Sequence, residues 1–282
     1  MRSMPQALEA PTPIHVAPWF NSLRSALASA RLGAAGTLAG WPVLLGRGVF
    51  YIVAVCILAA LWDRVGADRV PGALRLPPGG LVLYIGVTEW IMMSAPAIHL
   101  RLEDDIRSGA LESHLLRPKL YLAQKVAEAL GGLAARAGVI ALAALALLAV
   151  SGRTAPTPAA FLAITVLGLL GGALTVLIYT VAGLTAFWLR RTIPIYLILQ
   201  KGLFLLGGLF APISFYPHWL ARLGEASPFA AALYWPAVQA LTPSAGLFWR
   251  ALGLQLVWIA LLAGAAAAIW SAGLRKVLRQ GV

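Results

Sequence analysis

The chain holds a single cysteine, Cys56, so no intrachain disulfide can form. Cys56 lies within an apolar run, and a small core residue is the simplest expectation for it. Charge is scarce too. Only 11% of the 282 residues are Asp, Glu, Lys or Arg, against about a quarter in soluble domains. With 60% hydrophobic residues and a mean hydropathy of +0.83, a water-soluble fold is excluded and an all-α integral membrane protein is expected. The phosphate-loop pattern G-x-x-x-x-G-K-[ST] is also missing, so the sequence offers no cradle for ATP. The first twenty residues lack an apolar core followed by a small-residue cleavage site, so the first span is expected to remain as a permanent anchor.

What is present is a series of apolar runs. About 20 such residues cross a bilayer as helix, and six runs are candidates, near 40–62, 80–99, 129–150, 159–187, 193–214 and 247–271. The net charge of +12 reads as the bias of cytoplasmic loops toward Lys and Arg rather than as a nucleic-acid surface. If the N-terminus is cytoplasmic, thirteen bases fall on its side of the membrane and six on the other. Both termini are therefore expected inside.

Before the first span, Trp19, Leu23, Leu27 and Ala30 recur at helical spacing, with Asn21, Ser22, Arg24, Ser25 and Ser29 opposite. The pattern predicts a helix lying in the membrane interface. In the fourth run, Gly168 and Gly172 share one face and invite close approach of a neighbouring helix. After the fifth run, Pro212, Pro217, Pro228, Pro236 and Pro243 cut an aromatic, apolar sequence into pieces too short to cross. Short re-entrant helices are expected there, with Phe215, Tyr216, Trp219, Tyr234 and Trp235 at an interface. The two halves share no motif, which argues against a transporter built from inverted repeats.

The densest charge lies in "RLEDDIRSGALESHLLRPKLY", Arg101 to Tyr121. A metal site would need further ligands beside Glu103, Asp104 and Asp105, and the nearest candidates, Glu112 and the scattered histidines, do not supply a second cluster. Helical spacing accounts for more. Glu103 and Arg107 are four apart, Asp104 and Arg107 three apart. Gly109 permits a change of direction. Ala110, Leu111, His114 and Leu115 share a face of a second short helix, and Pro118 stops it by disfavouring helical geometry at Arg117. The product is a bent amphipathic element on the cytoplasmic side.

This stretch resembles the first cytoplasmic loop of ABC-2 type exporter permeases, in which an Ile, a Gly-hydrophobic pair and a Leu-Leu-Arg-Pro run form the coupling-helix region. The matching residues are Ile106, Gly109, Ala110, Leu115, Leu116, Arg117 and Pro118. "GGLFAPISFYPHWLARLGEASPF" resembles the family's fifth span and re-entrant helices. The resemblance implies residues 1–36 as a cytoplasmic tail and interfacial helix and 37–282 as a six-helix permease domain of the bacterial inner membrane. It implies two partner ATPase subunits that carry ATP and magnesium, a second permease of the same or a homologous chain, and surrounding lipids. No nucleic-acid partner and no cofactor of the chain's own are expected, and the chain is expected to be a transport subunit rather than an enzyme. Coupling to the ATPases would run through Glu103, Asp104, Asp105, Ile106, Arg107, Gly109, Leu111, Leu115, Arg117 and Pro118.

Inside the spans, Glu89 needs a partner, because an unpaired ionisable group there costs about 2.5–3.5 kcal/mol. Arg47, Arg136 and Lys201 are the candidates, and Arg136 is preferred because its depth on the adjacent span nearly matches. Two readings stand open: a helix-locking pair with snorkelling bases, or a substrate path in which these bases receive an anionic headgroup. A stand-alone secondary transporter is the alternative function, and a membrane-embedded lipid-modifying enzyme a further one.

Overall fold

The computed structural model describes residues 18–65, 80–110, 118–150 and 156–279, which are all-helical. Helix α1 (Pro18–Ala39) starts on a proline and leads through Gly40 into α2 (Trp41–Val65). After 66–79 come α3 (Gly80–Ser94) and the shorter α4 (Ile98–Arg107). Next are α5 (Pro118–Val150) and α6 (Pro158–Leu184). The chain then turns through Thr185–Phe187 into α7 (Ile193–Leu205). Three short helices follow, α8 (His218–Ala226), α9 (Pro228–Ala232) and α10 (Tyr234–Leu241), before the long α11 (Ala245–Arg279).

Among the described residues, five stretches are long and apolar enough to cross a membrane: Trp41–Leu61, Gly80–Arg107, Tyr121–Val150, Pro158–Phe187 and Ala245–Arg279. The fifth expected run, 193–214, is helical only to Leu205, where Gly207 and Gly208 end it; Gly208 takes φ 72°, open to glycine and strained for other residues. At 1.5 Å per residue α7 is about 20 Å long, short of the ~30 Å hydrocarbon core. The second run, expected unbroken to 99, parts at Ala95–Ala97, because Pro96 cannot extend the hydrogen-bond ladder. Conversely, the third begins well before 129: Pro118 opens α5, the position where a missing N–H is harmless.

Helix α6 is the central element. Thr157 caps its N-terminus, accepting from Ala160 N at 3.3 Å. Gly168 lies against the Trp90 ring of α3, Gly171 against the Ala232 carbonyl of α9, and a Cβ at Gly172 would stand 2.8 Å from Leu133 of α5. The expected close approach at Gly168 and Gly172 is thus observed, but toward two different helices. On α1 the face turned to α5 is the small, polar one: Gln124 of α5 donates to Ser25 Oγ at 2.6 Å, and Gly33 and Gly131 abut the backbones of Glu128 and Ala30. Leu23 and Leu27 are exposed.

The proline-broken segment forms α8 to α10, as its prolines predict, but two of its aromatics do not lie at an interface. Tyr234 and Trp235 are buried, as is all of α10, which packs on α3 and α6. Broken helices leave orphan carbonyls, and neutral side chains answer them here. Trp235 Nε1 donates to Glu225 O and Trp258 Nε1 to Ala226 O, both at 3.0 Å. Tyr84 donates to Gly208 O at 2.8 Å. Fully buried Gln255 donates to both Leu167 O and Ala231 O at 2.9 Å, tying α11 to α6 and α9. Cys56, expected in the core, is exposed and borders an apolar cleft.

Candidate functional site

Helix α4 buries Ile98, His99, Leu102 and Glu103 against α6 and leaves Arg101, Asp104 and Arg107 exposed. Gly183 of α6 makes the approach possible, since a Cβ there would stand 2.8 Å from His99 Cα. His99 stacks on Tyr196 of α7, ring centroids 3.8 Å apart. Glu103, 3% exposed, reaches the start of α7: it accepts from Thr192 N at 2.8 Å and from Thr192 Oγ1 at 2.5 Å. Arg107 and Arg191 flank the carboxylate at 3.5 and 3.6 Å. A buried carboxylate is tolerable only with such partners, so this constellation latches α4 to the α6–α7 turn.

The three acids diverge. Asp105 pairs with Lys125 Nζ at 2.8 Å and accepts from the Tyr121 hydroxyl, joining α4 to α5. Asp104 is exposed, and its carbonyl accepts from Ser108 N at the helix end. Ile106 packs against the core. Gly109 follows with φ 73°, the left-handed geometry a corner requires. Leu111, Leu115 and Arg117 lie outside the described residues, as does His114; Pro118 is the first residue of α5.

The four intramembrane ionisable residues are not drawn into one cluster. Glu89 is buried, and no ion pair among the described residues includes it. Its expected pairing with Arg136 is not formed. Across the α3–α5 contact it is the next residue on each helix that meets: Trp90 Nε1 donates to Ala137 O at 2.9 Å. Arg136 instead lines a small cleft with Thr37, Pro96, Arg101, Glu128 and Gly132. Arg47 donates to Met93 O at 3.2 Å, and exposed Lys201 sits over the Phe204 ring at 5.1 Å.

Two features escaped the sequence reading. Thr192 stands just before "IP", a helix-start signal, yet nothing local names Glu103 as its partner. The second is an apolar cleft of about 570 Å³ between α2, α3, α5 and α6, bordered by Tyr51, Cys56, Trp90, Ala141, Phe161 and Leu169.

A family model described as "ABC-2 family transporter protein" matches residues 80–281. No curated protein and no solved structure matches the chain.

Proposed function

The chain belongs to the ABC-2 family of transporter proteins, and from that premise we propose that it is the membrane-spanning permease of an ATP-binding cassette exporter. In this reading two partner ATPase subunits bind ATP and magnesium and work on this chain and a second permease. The termini and the α4 end face the cytoplasm of a bacterial inner membrane. The short α7, together with the segment after it, serves as the fifth of six crossings. The substrate is amphipathic or lipid-like, a class that the apolar cleft between α2, α3, α5 and α6 suits.

The observation that carries the mechanism is the Glu103 latch. Helix α4 and the Gly109 corner present an exposed rim for the ATPases, while the buried face of the same helix grips Thr192 at the entry to α7. A push on α4 is thus passed to α7, favouring one access state by differential binding. Asp104, Ile106, Arg107 and the 111–118 stretch complete the docking element, and Asp105 ties it to α5.

The test is Gly109→Val in the chain co-purified with its ATPase. A β-branched residue is strained at φ 73°, so nucleotide hydrolysis should persist while transport falls roughly tenfold or more, about 1.4 kcal/mol of coupling. Transport that continues without nucleotide, or wild-type coupling in the variant, overturns the reading.

A further inference from the structure

Beyond transport, we propose that the cleft between α1, α4 and α5 binds the phosphate of an anionic phospholipid, with Arg136 as the anchoring group. Arg136 Nη1 is buried, and among the described residues it has no hydrogen-bond partner. The neighbouring charges do not neutralise it. Arg47 and Arg101 both repel it. The nearby Glu128 is held by Arg101 at 2.5 Å, and Lys125 by Asp105. Among the groups that line the cleft, with Lys125 paired to Asp105, Arg101 and Arg136 against Glu128 leave one positive charge in excess. A buried guanidinium N–H without an acceptor is unfavourable, and an oxyanion is its natural complement, bound by charge-assisted hydrogen bonds.

The shape of the cleft agrees. Gly132 has no side chain to fill it: a Cβ there would lie 3.1 Å from Thr37 Oγ1 and 3.9 Å from Arg136 Nη1. The free space, about 20 Å³, holds one water-sized oxygen, so a ligand inserts a single oxygen and keeps its remainder outside. That geometry fits a phosphodiester at the rim better than an enclosed inorganic ion. On one side, helix α1 exposes Leu23, Leu27 and Leu38, an apolar face suited to the boundary between headgroups and acyl chains. A lipid phosphate lies at that depth.

The experiment uses the full chain in detergent, titrated separately with phosphatidylglycerol, with phosphatidylcholine of the same acyl chains, and with inorganic phosphate. Binding is read by native mass spectrometry and by the shift in melting temperature. Phosphatidylglycerol should half-saturate at about a tenfold lower concentration than phosphatidylcholine, inorganic phosphate should bind far more weakly, and Arg136→Gln should remove the preference between the lipids. Arg136→Lys, which keeps the charge without the planar fork, should retain the preference with weaker binding, and it serves if the glutamine variant does not fold. Equal binding of the two lipids overturns the proposal, as does wild-type preference in Arg136→Gln. Inorganic phosphate binding as tightly as phosphatidylglycerol assigns the cleft to a free anion and overturns the lipid.

Discussion

The two ends of α7 are secured by different physics. At its start, charged groups do the holding: Glu103 with Thr192, Arg107 and Arg191, and beside it Asp105 with Lys125 and Tyr121. Beyond its end, α8 to α10 are held by apolar close packing and by neutral donors, Tyr84, Trp235, Trp258 and Gln255, on backbone carbonyls. The arginines at the first end, 45% and 69% exposed, can exchange partners with water at little cost. Carbonyls of short helices enclosed in an apolar core have no such exchange available. In the proposed coupling, one end is therefore the part that rearranges and the other the part that stays fixed.

Breaking the fixed end should have the largest effect. Gly171→Val drives a branched side chain into the Ala232 carbonyl, separating α6 from α9, and should destabilise by more than about 4 kcal/mol. Fluorescence-detected size exclusion should show aggregated protein in place of a folded peak. Glu103→Gln attacks the rearranging end while keeping its shape. It removes the charge from the bonds to Thr192 and should lower stability by about 1–2 kcal/mol, seen as a lower melting midpoint with a folded peak still present. A loss as large as that of Gly171→Val would erase the contrast between the ends. Arg107→Ala sharpens it from below. The Arg107 side chain is 45% exposed and its 3.5 Å contact is screened by solvent, so stability in the same melt should change by no more than about 0.5 kcal/mol.

Much of the fold was legible because helix starts and breaks are local chemistry. Pro18, Pro118 and Pro158 open helices, and Pro217 and Pro228 sit at the starts of α8 and α9. Pro96 was equally visible, but the apolar run around it masked the break. The spacing of Glu103 and Arg107 foretold their contact and Gly109 the corner. What sequence could not supply was direction around a helix axis relative to its neighbours. Depth matched Glu89 to Arg136, but one residue turns a helix by about 100°, and the packing set Trp90 on Ala137 instead. The Glu103–Thr192 bond spans 89 positions, and no local pattern names so distant a partner. Tyr234 and Trp235 have the composition of an interface belt, and they are buried because α10 fits between α3 and α6.

The break at Pro96 gives α4 the mechanics of a crank. Its pivot lies at Ala95–Ala97, and Glu103 rides about 8 Å out along the arm at 1.5 Å per residue. A swing of about 10° would carry that carboxylate through an arc of roughly 1.4 Å, about twice the ~0.7 Å by which its 2.8 Å bond to Thr192 N can lengthen before it parts. In the proposed coupling, small strokes would be handed to α7 and larger ones would slip. The Glu103 joint would then act as a torque limiter, setting an upper bound on the force that one end of the molecule can impose on the other.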